Sequence, residues 1–216
     1  MARLRLGVLI SGRGSNLQAL IEACQGLAFP AEVACVISNV RGVQGIERAR
    51  AAGLPSVVVP HTGYPDRESF EADLTRVLYA HGADLVCNAG FMRILTASFF
   101  EEWPDRVINI HPSLLPAFPG LRTHERVLAA GCRFTGCTVH FSRPEVDAGP
   151  IIIQAAVPVR PDDTPDTLAE RVLTEEHRIY PLAVRWLAEG RVHLEGGRVL
   201  VSGTEIPGGA LVNPAG

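Results

Sequence analysis

Residues 4–24 read LRLGVLISGRGSNLQALIEAC, an apolar run joined to an amphipathic segment by a turn that contains two glycines. The apolar run predicts a β-strand at Leu4–Ile10, and apolar residues at helical spacing predict a helix at Ser15–Cys24. A glycine turn that follows a strand and opens a helix leaves free backbone N–H groups at the helix start, where phosphate groups bind. The segment therefore predicts an α/β fold and makes the end of its first strand a candidate phosphate site.

The same alternation continues through the first half of the chain. Short apolar runs predict strands at Val33–Ser38, Ser56–Val59, Asp84–Asn88 and Arg106–Ile110, and the segments between them predict helices at Gly45–Ala52, Asp66–Ala80 and Thr96–Glu102. Asp66 is the predicted N-cap of its helix. Alternating strands and helices predict a parallel sheet with helices on both faces.

The second half of the chain has a different pattern. Two apolar runs, Phe134–Phe141 and Ile151–Pro158, have no helix between them and predict an antiparallel pair. A long helix is predicted at Pro165–Glu189 and a terminal hairpin at Arg191–Val201. We therefore expect a single α/β domain over residues 1–202, with a Rossmann-like, mostly parallel sheet and antiparallel strands added in the C-terminal half. Residues 203–216 are expected to form a loose tail.

The composition restricts the chemistry. The 216 residues carry 20 basic and 23 acidic side chains, a net charge of −3, which argues against a general nucleic-acid binder. All the basic residues are arginine, so a Walker A phosphate loop and a lysine Schiff base are excluded. The five cysteines form no Cys-x-x-Cys pair, so we expect reduced cysteines and no metal site. Apolar runs are too short for a signal peptide or a membrane span, so a cytoplasmic location without membrane contact is expected.

The strand at Arg106–Ile110 ends with two polar side chains that carry possible chemistry. Asn109 and His111 are two residues apart, so they point to the same side of the strand, at the carboxyl end where such sheets bind ligands. A buried asparagine and histidine are costly without partners. This pattern is compatible with two interpretations of His111, a hydrogen-bonded core histidine and a catalytic histidine.

The glycine turn at Ser11–Asn16 also has more than one interpretation. It resembles a dinucleotide-binding fingerprint, but Leu17 stands at the third glycine position, and Ser38 and Asn39 stand where an acidic residue would bind ribose. Dinucleotide binding is therefore disfavoured, whereas a phosphate site and a plain tight turn both stay open.

Three further segments are candidates for the site. The loop Arg143–Pro150 is either a solvated acidic loop or a means of aiming Asp147 at His111. The segment Ala89–Leu95 is either a buried connection or an apolar clasp for a flat ring with an anionic tail. Glu176 lies on the apolar stripe of the long helix, and a carboxylate on a core-facing side is seldom without a function.

Six segments together carry a family resemblance. They are ISGRGSNLQALIEAC (10–24), AGFMRIL (89–95), NIHPSLLPAFPGLRTH (109–124), GCTVHF (136–141), DAGPII (147–152) and EHRIYP (176–181). In this order and over nearly the whole chain, they resemble the phosphoribosylglycinamide formyltransferase family, folate-dependent enzymes of purine synthesis. Arg13 and Cys137 depart from the family pattern, and neither belongs to the inferred catalytic set.

The resemblance implies a reaction and a set of site residues. The formyl donor would be 10-formyltetrahydrofolate, the acceptor would be the glycyl amine of 5′-phosphoribosylglycinamide, and no metal would take part. Catalysis would fall to Asn109, His111 and Asp147, with Asp147 favouring the protonated form of His111. The acceptor would be bound in a phosphate-binding half, about 1–105, and by the long helix, through Gly14, Ser15, Asn16, Leu173, Thr174, Glu175 and Glu176. The folate would be enclosed mainly by the catalytic half, about 106–202, through Arg67, Met92, Arg93, Ile94, Leu95, Asn109, Arg143, Pro144, Glu145, Val146 and Asp147.

The family also bears on a peptide bond, on alternatives and on partners. It favours a cis Leu115–Pro116 bond, and it favours the folate tail over the acceptor phosphate as the partner of Arg67.

Another enzyme that uses formyltetrahydrofolate, such as a deformylase or methionyl-tRNA formyltransferase, is an alternative function, and so is a non-enzymatic nucleotide-binding module. The two enzymes carry an additional N-terminal or C-terminal domain, for which we expect no room here. Small molecules are the expected partners, nucleic acid is not, and a homodimer is possible.

Overall fold

The computed structural model describes residues 2–205 and 208–214. Its elements, in chain order, are β1 Leu4–Ile10, α1 Ser15–Gln25, β2 Ala31–Ser38, α2 Gln44–Ala51, β3 Ser56–Val58, α3 Arg67–Ala80, β4 Leu85–Asn88, α4 Ala97–Glu102, β5 Val107–His111, α5 Thr123–Ala129, β6 Phe134–Phe141, β7 Ile151–Pro158, α6 Pro165–Ala188, β8 Val192–Glu195 and β9 Arg198–Val201. Among the described residues, no helix combines the length and apolar character that crossing a bilayer requires.

Within the described residues, β1–β7 form one seven-stranded sheet in the order β3-β2-β1-β4-β5-β6-β7. The pairs from β3 to β5 are parallel, and β6 and β7 add antiparallel pairs at one edge. The predicted single α/β domain with added antiparallel strands is therefore confirmed. The strand order reverses direction at β1, so the carboxyl ends of β1 and β4 form the crevice in which open α/β sheets bind ligands.

Helices cover both faces of the sheet because successive residues of a strand point to opposite sides. Val8 and Ile10 of β1 pack in one core with α1, α2, α5 and α6. Leu9, between them, packs in a second core with α3 and α4. Strands buried on both faces read as continuous apolar runs, which is why they were recognisable in the sequence.

Most predicted element boundaries agree with the structure to within two residues. Asp66 caps α3 by accepting a hydrogen bond from Ser69 N, and Thr164 caps α6 in the same way through Thr167 N. The Leu115–Pro116 bond is cis, as expected. Helix α5 was not predicted, because it begins after Arg122 in a left-handed conformation and has no side-chain cap.

The C-terminal residues follow a separate two-stranded sheet formed by β8 and β9. The loose tail expected over 203–216 lies partly outside the described residues. Of the residues described there, Asn213 donates from Nδ2 to the carbonyl oxygens of Arg133, at 2.6 Å, and Val159, at 3.1 Å.

Candidate active site

A cavity of about 590 Å³ opens at the carboxyl ends of β4 and β5 and extends beside the antiparallel strand β6. Its wall combines apolar loop residues with a few polar groups, the usual character of a small-molecule site. The lining residues are Asn88, Gly90, Phe91, Met92, Arg93, Ile94, Leu95, Phe100, Asn109, Ile110, His111, Pro112, Gly120, Leu121, Arg122, Thr123, His140, Ser142, Arg143, Pro144, Val146 and Asp147.

A row of polar side chains crosses the sheet beneath this cavity. Asn88 on β4 is in register with Asn109 on β5, which in turn is opposite His140 on β6. The next residue of the row, Leu9 on β1, belongs to the second apolar core. Residues in register on neighbouring strands share a face. On this face the row is apolar at β1 and polar from β4 to β6.

His111, at the end of β5, meets Asp147 from the loop between β6 and β7. The distance from His111 Nδ1 to Asp147 Oδ2 is 3.2 Å, and the two side chains are only 7% and 11% exposed. The backbone N–H of Gly120 donates to the same carboxylate oxygen at 2.8 Å. The sequence left open whether Asp147 faces solvent or His111, and the structure places it against His111.

Both ring nitrogens of His111 face acceptors. Nε2 lies 2.9 Å from the carbonyl oxygen of Phe118, and Nδ1 faces the Asp147 carboxylate. A carbonyl oxygen only accepts, so Nε2 carries a proton, and a bare Nδ1 lone pair would be repelled by the carboxylate. Each ring nitrogen of His111 therefore faces a group that accepts hydrogen bonds.

His140 is a site residue that the sequence reasoning missed. Its Nδ1 lies 2.9 Å from the carbonyl oxygen of Phe141, and its Nε2 lies 3.3 Å from Nδ2 of Asn109 and 3.8 Å from Asp147 Oδ1. Burial lowers the pKa of His140, so the ring is neutral at physiological pH. Nδ1–H then donates to Phe141 and Nε2 accepts from Asn109, which holds the amide nitrogen of Asn109 in place. The signal that the sequence offers is a histidine near the end of a predicted strand, within the GCTVHF segment.

The turn at Gly14 brings the start of α1 to the same edge of the sheet. Gly14 has φ of +70°, and a Cβ there would meet the Cα of Gly45. No side chain of the described residues caps α1, and its first turn has no acidic residue. The N–H groups of its first residues and the positive end of the helix dipole are therefore available to an anion.

Glu176 and Asn16 form a buried pair beside this turn. Nδ2 of Asn16 donates to Oε2 of Glu176 at 2.7 Å, and the two residues are 8% and 7% exposed. Burial raises the pKa of Glu176, and the bond from Asn16 opposes that rise. Oδ1 of Asn16 has no hydrogen-bond partner among the described residues. A buried pair with one free acceptor suits a hydroxyl-bearing ligand.

The other expected acceptor-binding residues on α6 do not join this pair. Thr174 is exposed and donates to the carbonyl oxygen of Glu170. Glu175 pairs with Arg178 at 2.7 Å. Thr174 and Glu175 line a separate cavity of about 310 Å³ beside β7. Leu173 is half-buried.

The expected folate-binding residues separate into two groups. Met92, Arg93, Ile94, Leu95, Asn109, Arg143, Pro144, Val146 and Asp147 line the large cavity. Glu145 is exposed on the same loop but is not part of the wall, and Arg67 is exposed at the first residue of α3. Helix α3 reaches the cavity through Phe70, which stacks on Phe91 with ring centroids 6.5 Å apart. Among the described residues, no group of three or more His, Cys, Asp or Glu side chains is arranged to hold a metal ion.

Comparison with known proteins identifies the family. The sequence profile of the formyl transferase family matches residues 4–184. The chain is 42% identical to phosphoribosylglycinamide formyltransferase of Escherichia coli over 94% of this chain and 96% of that protein. It is 52% identical to the trifunctional purine biosynthetic protein adenosine-3 of Drosophila melanogaster over 87% of this chain.

A solved structure gives the same result. Glycinamide ribonucleotide transformylase 1 from Symbiobacterium toebii has a TM-score of 0.90 and 50% identity, with 92% of this chain and 94% of that chain covered. The chain spans only 14–20% of the length of the trifunctional proteins it matches. With a profile match over most of its length and relatives of this identity, the chain belongs to the formyl transferase family.

Proposed function

We propose that the protein transfers the formyl group of 10-formyltetrahydrofolate to the glycyl amine of 5′-phosphoribosylglycinamide in purine biosynthesis. The observation that carries the proposal is the cluster of Asn109, His111 and Asp147 at the wall of the large cavity. Strand β4 alone separates β5, which carries Asn109 and His111, from β1, whose end leads into the uncapped start of α1. Relatives named for this reaction support the assignment.

The acceptor would lie across the end of β4. Its phosphate would bind the N–H groups of Gly14, Ser15 and Asn16, and its ribose hydroxyls would meet Glu176 and the free Oδ1 of Asn16. Leu173, on the same side of α6 as Glu176, would contact the sugar. This placement extends the amine toward Asn109 and His111.

The donor would fill the large cavity. Its ring would pack against the apolar wall of Met92, Ile94, Leu95 and Val146. Arg67, outside the cavity wall at the start of α3, would meet the anionic glutamate tail in solvent. The formyl group would then face Asn109, His111 and Asp147 at the floor of the cavity.

The reaction requires movement of charge and of one proton. The amine attacks the formyl carbon, and the carbonyl oxygen becomes an oxyanion that the N–H donors of Asn109 and His111 stabilise. His111 gives its Nε2 proton to the folate nitrogen as the bond from that nitrogen to the formyl carbon breaks, and the proton lost by the attacking amine returns to His111, so that one proton moves in total from the amine to the folate nitrogen. His111 Nε2 faces the Phe118 carbonyl in the unliganded protein, so the ligand would have to take the place of that carbonyl.

An assay with three arms tests the proposal. Formyl transfer is measured with donor and 5′-phosphoribosylglycinamide, with donor alone, and with donor and methionyl-tRNA. Transfer in the first arm only is the expected result. Formate release from donor alone would instead identify a deformylase, formylation of the tRNA would identify the other transferase, and no turnover in any arm would favour a non-enzymatic binding module.

A further inference from the structure

Ser11 connects the two halves of the site. It is the first residue after β1 and begins the turn that leads to Gly14 and α1. Strand β4 runs beside β1 in parallel and leads into the donor loop, which we define as residues 90–95. The carboxyl ends of two neighbouring parallel strands thus bring Ser11 against that loop.

Ser11 holds the donor loop at two backbone positions. The N–H of Ser11 donates to the carbonyl oxygen of Gly90 at 3.1 Å. The N–H of Met92 donates to Oγ of Ser11 at 2.8 Å. The two bonds flank Phe91, so they determine where the loop leaves the sheet.

Asn39 fixes the direction of the Ser11 hydroxyl. Oγ of Ser11 donates to Oδ1 of Asn39 at 2.5 Å, and Asn39 is only 3% exposed. Nδ2 of Asn39 is in turn 3.1 Å from Nδ1 of His61. A hydroxyl has one proton, so the bond to Asn39 leaves the lone pairs of Oγ directed at Met92 N–H.

Two side chains of the donor loop that line the cavity do not hold the loop in place. Met92 is 64% exposed and Ile94 is 55% exposed, and neither packs in a core. Leu95 is buried and anchors the far end of the loop. At the near end, Phe91 packs against the second core, and the backbone hydrogen bonds on either side of it set the position of Met92. Of these bonds, the one to Oγ of Ser11 is the one that a side-chain substitution removes.

We propose that Ser11 is a positioning residue that holds the donor loop in the geometry that binds the folate ring. This inference rests on the proposed function, because it takes that loop as the wall of the donor site. Ser11 acts through the Met92 backbone and does not itself touch the reacting atoms. Its loss is therefore expected to weaken donor binding and to leave the chemical step unchanged.

The test compares Ser11→Ala with Ser11→Thr, which keeps the hydroxyl, and with Ser202→Ala, an exposed serine of the terminal hairpin. Titration with tetrahydrofolate gives Kd, and steady-state kinetics give kcat and both KM values. Loss of one hydrogen bond is expected to raise the Kd and the donor KM of Ser11→Ala about 5-fold. The acceptor KM and kcat should change less than about 2-fold, and Ser11→Thr and Ser202→Ala should match wild type.

Three outcomes would overturn the inference. They are an unchanged Kd in Ser11→Ala, an equal rise in both KM values, and no recovery in Ser11→Thr while thermal unfolding shows that variant to be folded. The proposed function fails separately, when the wild-type protein neither binds tetrahydrofolate nor transfers a formyl group. If wild type does both and Ser11→Ala behaves identically, only the assignment of Ser11 is wrong.

Discussion

Oδ2 of Asp147 lies 3.2 Å from Nδ1 of His111. The two residues come from different parts of the chain, His111 from the end of β5 and Asp147 from the loop after β6. The backbone of Asp147 has φ of +55°, a left-handed conformation that aspartate tolerates better than most residues. Gly120 N–H donates to the same oxygen, so three segments determine the position of this carboxylate.

His111→Ala should remove turnover and spare donor binding. The N–H groups of His111 act on charge that develops in the transition state, so their loss is expected to lower kcat by about 100- to 10,000-fold. The Kd for tetrahydrofolate should stay within about 3-fold of wild type, because the apolar wall of the cavity is intact. Single-turnover kinetics and ligand titration measure the two effects. A raised Kd for tetrahydrofolate with normal turnover of the bound complex would instead identify a structural histidine.

Gly14→Ala should weaken binding of the acceptor. A side chain at φ of +70° is strained, and its Cβ would meet the Cα of Gly45, so the turn at the start of α1 must shift. We expect the acceptor KM to rise at least about 10-fold and the donor Kd to stay constant. Gly42→Ala is the matched control, because φ is +65° there and the space around it is open. Equal effects of the two substitutions on the acceptor KM would contradict a phosphate site at Gly14.

The parts of the site that follow from local pattern could be predicted from the sequence. Asn109 and His111 share a side because a strand has a period of two. His140 was missed because β6 is almost entirely buried and its sequence does not show that His140 pairs with Asn109. That pairing depends on strand order, which no local pattern specifies. Thr174 and Glu175 stay predicted acceptor-binding residues, and because neighbours on a helix point about 100° apart they lie on different sides of α6 from Glu176.

Glu176→Gln should stabilise the protein near neutral pH. Burial raises the pKa of Glu176 above its ordinary value of 4.5, so the folded protein binds this proton more tightly than the unfolded chain does. The free energy of unfolding therefore falls as pH rises from the pKa of Glu176 in the unfolded chain to its pKa in the folded protein. This loss of stability persists at higher pH. Glutamine cannot ionise and still accepts from Asn16. Thermal unfolding should show a Tm gain of about 3 °C at pH 7.5 that disappears at pH 4.

Glu175→Gln is the matched control for this effect. Glu175 is adjacent in sequence but only half-buried, and it pairs with Arg178. A half-exposed ion pair contributes little to the stability of the folded protein, so Tm should change by less than about 1 °C at either pH. A Tm gain in Glu176→Gln that does not depend on pH would show that the ionisation of Glu176 does not cause the gain.

Asn88→Leu should also stabilise the unliganded protein. Asn88 is 9% exposed, and its Oδ1 is buried with no hydrogen-bond partner among the described residues. Replacing an unpaired amide with an apolar group of similar size is expected to raise the free energy of unfolding by about 1 kcal/mol. Asn109→Leu, one strand away, should lower the free energy of unfolding, because this substitution leaves His140 Nε2 without its hydrogen-bond donor. Urea denaturation of both variants measures the difference, and a loss of stability in Asn88→Leu would disprove the argument.

Asp147→Asn tests whether the charge of Asp147 acts on His111. Asparagine keeps the shape of the side chain and can still accept from Gly120 N–H, but it removes the negative charge that favours the imidazolium. At pH 7.5, kcat is expected to fall by about 100-fold, because the ring loses the carboxylate that stabilises its protonated form. The loss should become smaller as pH is lowered toward 6, since a higher proton concentration restores the imidazolium. The kcat–pH profile of the variant measures this recovery.

Asp105→Asn provides the control for that profile. Asp105 pairs with Arg143 on the rim of the same cavity at 2.6 Å, so the substitution removes a nearby carboxylate that does not contact His111. Its effect on kcat should be less than about 3-fold and independent of pH, because Asp105 is exposed and its ion pair is screened by solvent. If the loss in Asp147→Asn were likewise independent of pH and accompanied by weaker tetrahydrofolate binding, Asp147 would serve to shape the loop. The imidazolium would then depend on the Phe118 carbonyl alone, an uncharged acceptor that favours it far less than a carboxylate does.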